Sequence, residues 1–139
     1  MNVGTNVSDD CVTEFNNLKL GKQYRFVIYK LDKDKNEIVV DQKGGRESTY
    51  AEFVSHLQNE SRYAVYDYHA QTEDVPPRKV EKLVFIFWSP DTNQPVKQKM
   101  AYAAGKEALK KKLNGLSKEI QANEPSEVEE AEIKKIVLN

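Results

Sequence analysis

Apolar residues change their period along this chain, and each change marks an element. Val12, Phe15 and Leu18 recur every three residues, which predicts a helix from Ser8 to about Lys19. Ser8 is its expected N-cap, Val7 and Val12 form a hydrophobic staple, and Asp9 and Asp10 suit the positive helix end. Gly21 ends that helix. Tyr24 to Leu31 then reads as a strand, Lys33 to Asn36 as a polar turn, and Glu37 to Val40 as the returning hairpin strand. Gly44 and Gly45 are expected in a loop. Thr49 to about Gln58 carries Tyr50, Phe53, Val54 and Leu57 on one helical face, and Arg62 to His69 is an aromatic-rich strand. A polar connection from Gln71 to Pro77 leads to Arg78 and Lys79 at the start of the next strand.

The stretch from Lys82 to Leu116 organises the rest. Leu83-Val84-Phe85-Ile86-Phe87-Trp88 is an unbroken apolar run, the signature of a strand buried on both faces. Turn chemistry at Ser89 to Asn93 interrupts it, and a long helix is predicted from near Pro95 to a C-cap at Asn114-Gly115. Tyr102, Gly105, Leu109, Leu113 and Leu116 make an ordinary core stripe along this helix. Its other side carries Val96, Met100, Ala103 and Ala104, rimmed by Lys97, Lys99, Lys110 and Lys111. An apolar centre with a basic rim is the composition of a docking surface, although a second core edge would use the same residues, and pattern alone leans to the core edge. After Gly115, Ser117 to Ala122 is a weakly marked fifth strand. Pro125 and the S-x-x-E sequence from Ser126 to Glu129 predict a capping box for a terminal helix, with Glu130 and Lys134 as an i,i+4 pair.

Composition narrows the function. The chain has 139 residues, a net charge of −1 and both signs of charge interspersed, so bulk charge gives no reason to expect nucleic acid. No apolar run approaches membrane-spanning length, and the polar start Met1 to Asn6 does not read as a secretion signal. Cys11 is the single cysteine, which excludes an internal disulfide and fits a reducing compartment. The expectation is one soluble intracellular α/β domain.

Catalytic chemistry finds no support. Gly105-Lys106 lacks the P-loop's earlier glycine, replaced by Met100, and its following Ser/Thr, replaced by Glu107. His56 and His69 have no metal spacing, and Asp67 has no paired acid, so it reads as paired within the fold or exposed near its strand end. No enzyme activity, cofactor or metal is expected.

Several runs together resemble the actin-depolymerising factor/cofilin family over essentially the whole chain. They are Phe15-Asn16-Asn17-Leu18-Lys19-Leu20-Gly21-Lys22, Tyr63-Ala64-Val65-Tyr66-Asp67, Leu83 to Asp91, and above all Lys97-Gln98-Lys99-Met100-Ala101-Tyr102. The short loop after Leu31 is similar to compact fungal, plant and protist members. The resemblance implies an N-terminal arm over residues 1–7 and one actin-depolymerising factor homology domain over 8–139, with a central mixed sheet of about five strands flanked by helices. It implies a monomer that binds G-actin and F-actin, favours ADP-actin, and severs and depolymerises filaments. The cytoplasm and actin cytoskeleton are the implied location, with the nucleus also open.

Carried over by position, Val3, Gly4, Thr5, Lys97, Lys99 and Met100 would contact both monomer and filament. Lys79, Lys82, Lys134 and Lys135 would contact filament only. Lys97, Lys99, Lys110, Lys111 and Lys112 would form a phosphoinositide-binding surface. The alternative within the same fold is a filament side-binder or branch regulator that does not sever, and the run Lys97-x-Lys99-Met100 favours the severing class. Three departures stand out. Val3 occupies the position of a regulatory serine, Val80 follows Lys79 where some relatives keep a basic pair, and Lys118 stands where some animal relatives have a histidine.

Overall fold

A computed structural model describes residues 4–91 and 94–139. Its centre is a six-stranded mixed sheet: β1 (Asn6–Val7), β2 (Tyr24–Asp32), β3 (Glu37–Gly45), β4 (Arg62–Gln71), β5 (Lys79–Trp88) and β6 (Lys118–Ala122). The spatial order is β1-β3-β2-β4-β5-β6. The four inner strands pair antiparallel, while β1 and β6 close the two edges by parallel pairing. The sixth strand comes from the stretch expected to be an arm, since Asn6 and Val7 lie in register with Glu37 and Ile38.

Helices cover both faces: α1 (Asp9–Lys19), α2 (Tyr50–Val54), α3 (Val96–Lys110) and α4 (Glu130–Leu138). The period-2 geometry of strands divides the apolar residues between two cores. Phe26, Ile28, Ala64, Tyr66, Val84, Ile86 and Trp88 pack against residues of α2 and α4, including Phe53, Ile133 and Val137. Val27, Tyr29, Tyr63, Val65, Phe85 and Phe87 pack against residues of α1 and α3, including Phe15, Leu18, Tyr102 and Leu109. The unbroken run Val84 to Trp88 is therefore continuous because β5 is buried on both sides.

Several local expectations are corrected. Cys11, fully buried and donating to the Ile38 carbonyl at 3.3 Å, takes the core position, and Val12 is only half-buried. Gly44 and Gly45 belong to β3 rather than a loop. Gly44 pairs with Phe26, and a Cβ at Gly44 would lie 2.2 Å from the Phe26 ring. The second helix stops at Val54. The box at the terminal helix is built one step earlier: Glu124 and Glu127 cap a 3₁₀ turn over Pro125–Val128 reciprocally, so Ser126 is not the cap. Glu130 accepts from the Tyr68 hydroxyl at 3.1 Å, and Lys134 does not pair with it.

Asp67 is paired within the fold. It is 2% exposed, accepts from Arg46 at 2.8 Å and from His69 Nε2 at 3.1 Å, and faces Lys22 at 3.7 Å. Burying a carboxylate costs free energy unless partners such as these hydrogen-bond it.

Candidate actin-binding surfaces

The structure locks α3 to the sheet through its inner stripe. Tyr102, Gly105 and Leu109 are buried along the helix, and Leu113 just beyond it. The Tyr102 hydroxyl accepts from the Leu31 backbone N–H at 3.0 Å and from Arg62 at 3.4 Å. The Tyr102 carbonyl accepts from the Tyr63 hydroxyl at 2.6 Å. Burial pushes the Tyr102 phenol above its ordinary pKa, so it stays neutral in these bonds. Gly105 makes room for this bracket, since a Cβ there would sit 2.8 Å from the Tyr63 hydroxyl.

The helix limits differ from the sequence reading. Pro95 is the N-cap residue, with φ −63° and ψ 142°, and the helix begins at Val96. Its last residue is Lys110, after which short-range bonds from Lys112 to Leu109 and from Leu113 to Lys110 tighten the chain. Gly115 does adopt φ +98°, but four residues beyond the cap residue Lys111.

The outer side of α3 is open rather than a second core edge. Val96 is 72% exposed and Met100 66%, and Ala103 and Ala104 are also exposed. Leu20 and Val75 are just as exposed, so exposure alone is ordinary; what sets Val96 and Met100 apart is that they lie one turn apart on one helix, continuous with two exposed alanines. Lys97 is exposed and has no partner among the described residues. Lys99 donates to Asp91 at 2.6 Å. Lys111 and Lys112 are exposed and likewise unpaired among the described residues, whereas Lys110 is bound by Glu119, with Glu107 at 3.5 Å. That hydrogen bond raises the Lys110 pKa and lowers that of Glu119.

The N-terminal stretch runs beside this helix. Asn6 N–H donates to the Asn36 carbonyl and Ser8 N–H to the Ile38 carbonyl, while Asn36 Nδ2 donates to the Gly4 carbonyl at 3.3 Å. Thr5 is half-buried, with its methyl group next to Gly105. Gly4 and Thr5 are thus brought alongside α3. Val3 lies outside the described residues.

The second set of lysines sits elsewhere. Lys134 and Lys135 are exposed on α4, which packs over β4 and β5, and Lys135 reaches Glu132 at 3.3 Å. Lys82 is half-buried and pairs in register with Tyr68, whose hydroxyl meets Glu130 at the start of α4. Strand alternation puts Lys82 on the α4 side of the sheet. Lys79, three residues earlier, falls on the opposite face near the β4–β5 connection. Lys82 therefore lies on the sheet face that α4 covers, the helix that carries Lys134 and Lys135, and Lys79 lies on the other face. Among the described residues no group of three His, Cys, Asp or Glu could hold a metal ion, and no helix is long and apolar enough to cross a membrane.

The family model of cofilin/tropomyosin-type actin-binding proteins matches residues 4–138. The chain belongs to the actin-depolymerising factor/cofilin family. It is 43% identical to actophorin of Acanthamoeba castellanii over 128 residues, spanning 91% of this chain and 90% of actophorin. Among solved structures it resembles Streptomyces griseoflavus cofilin, with TM-score 0.85, 36% identity and coverage of 95% and 96% of the two chains. Plasmodium berghei actin depolymerization factor 2 is similar at TM-score 0.83 and 36% identity, covering 100% and 99%.

Two parts of this cofilin-family domain escaped the sequence reading. The Tyr102–Tyr63–Leu31 bracket joins residues far apart in the chain, and no spacing reveals it. Asp91, the partner of Lys99, did have a signal: a Ser-Pro-Asp turn before a helix whose first turn has lysine and no acid.

Proposed function

We propose that this protein binds actin monomers and the sides of actin filaments, severs and depolymerises filaments, and favours ADP-actin. The observation that carries the reading is the outer face of α3. Met100 and Val96 stand in solvent on a helix fixed by buried bonds, with Lys97, which has no partner among the described residues, beside them and Thr5 packed against Gly105 of the same helix. A methionine is an adaptable apolar anchor, and lysines steer toward an acidic partner. Relatives of matching length carry names that state actin depolymerisation. This is a binding protein rather than an enzyme, acting as a monomer on the cytoplasmic actin cytoskeleton.

Contacts to monomer and filament are assigned to Val3, Gly4, Thr5, Lys97, Lys99 and Met100, and the filament-only contact to Lys82, Lys134 and Lys135, with Lys79 at its margin. The two surfaces lie on different helices on opposite faces of the sheet, so one molecule can touch two neighbouring subunits. If that engagement is best in a twisted filament, binding energy is held as strain where decorated and bare segments meet. Phosphoinositide headgroups would compete at Lys97, Lys99, Lys110, Lys111 and Lys112, with the carboxylates beside Lys99 and Lys110 offsetting part of their charge.

Sedimentation with preformed actin filaments tests this. The protein should pellet with filaments and shift part of the actin to the supernatant. Pelleting without loss of polymer would move the function to the non-severing side-binders of the same fold, and no binding to either form would refute it.

A further inference from the structure

Helix α3 begins against the usual electrostatic rule. Its N-cap Pro95 has no side chain to accept a hydrogen bond, its first turn contains no acidic residue, and Lys97 and Lys99 put positive charge at the positive end of the helix dipole. Among the described residues, the preceding loop supplies a compensating group. Asp91 accepts from Lys99 Nζ at 2.6 Å across eight residues of sequence.

The start of that loop is well held. Trp88, Ser89 and Pro90 are buried, and the Ser89 N–H donates to the Ala122 carbonyl at 2.9 Å. The Pro90 carbonyl accepts from the Gln94 amide at 2.8 Å, and the Gln94 oxygen accepts from the Ser61 hydroxyl at 3.0 Å. Asp91 therefore springs from a fixed base. By contrast, Lys97 on the same turn is exposed and has no partner among the described residues.

We propose that Asp91 is a positioning residue for the actin contact of Lys99. A lysine ammonium has three donors, and Asp91 occupies one, leaving two for a partner carboxylate or carbonyl. Ordering a long, rotamer-rich side chain normally costs free energy at the moment of binding; here that ordering is done in the unbound protein. Lys99 is then a preset hydrogen-bonding head and Lys97 a mobile steering charge. This rests on the reading that Lys99 contacts actin.

Stopped-flow kinetics with fluorescent ADP-actin monomers test it through Asp91→Asn, Lys99→Ala and the double variant. Asp91→Asn should raise the dissociation rate about threefold, the scale of one partly exposed ion pair, without slowing association. With Lys99→Ala already present it should have no further effect. A dissociation rate that is unchanged or lower in Asp91→Asn would overturn the proposal, the latter marking Asp91 as a competitor for Lys99. An equal effect in both backgrounds would also overturn it, assigning Asp91 to the helix terminus alone. If Lys99→Ala binds like the parent protein, the contact assigned to Lys99 fails and the proposal with it. If Lys99→Ala weakens binding and Asp91→Asn does not, only the proposal fails.

Discussion

At the scale of single residues, neighbouring glycines make opposite demands. Gly44 lies under the Phe26 ring, where an added methyl would meet three ring carbons at 2.2–2.8 Å, whereas nothing lies within 4 Å of a Cβ at Gly45. Gly44→Ala is expected to destabilise the fold by about 1–3 kcal/mol through overpacking. Gly45→Ala should stay within about 0.5 kcal/mol. Urea unfolding midpoints of the two variants check this, and equal shifts would contradict the packing account. The pair also shows where sequence reading stops. Two adjacent glycines look the same as a loop and as a strand end beneath an aromatic ring, because the ring that decides belongs to a different strand. Cys11 displaced Val12 from the core for a similar reason: a period of three fixes a face, but not which residue at its edge meets β3.

At the scale of elements, both buried strands and helices with strong periodicity were legible. β5 was plain from its composition, and the inner stripe of α3 matched its buried residues from Tyr102 to Leu113. The outer face of α3 is ambiguous in the pattern, and the exposure of Val96 and Met100 rules out the core edge. Two short helices were misjudged because their ends depend on local hydrogen bonds, as with the Glu124–Glu127 box. The lysines on α3 and α4 give a contrast. Lys97→Ala with Lys99→Ala should weaken both monomer and filament binding, each by roughly tenfold for two charge contacts. Lys134→Ala with Lys135→Ala should leave monomer affinity intact and lower filament affinity. Titrations against labelled monomers and filaments read both. Equal losses in the two assays for the α4 variant would break the two-surface assignment.

At the scale of the whole molecule, pH reports how the fold uses its ionisable groups. Burial raises the Tyr66 and Tyr68 phenols from their ordinary 10.0 to about 12. A raised folded pKa means their contribution is full below pH 10 and is lost as pH climbs toward 12. Glu14 is held low by its hydrogen bond from Lys43, and Glu119 by Lys110. Their contribution is present above the ordinary carboxylate value of 4.5 and disappears as pH falls through the lowered folded values. Stability measured by urea midpoint should hold across neutral pH and fall on both sides, with Glu14→Gln flattening the acid limb. An acid limb unchanged in that variant would remove Glu14 from the account.

The same scale carries the central claim, that one rigid domain bears two actin surfaces and strains the filament it binds. Imaging of single fluorescent actin filaments tests it most directly. Filaments exposed to the protein should become partly decorated and then break, with breaks concentrated at boundaries between decorated and bare segments. Filaments that become decorated yet remain intact over the same period would contradict it.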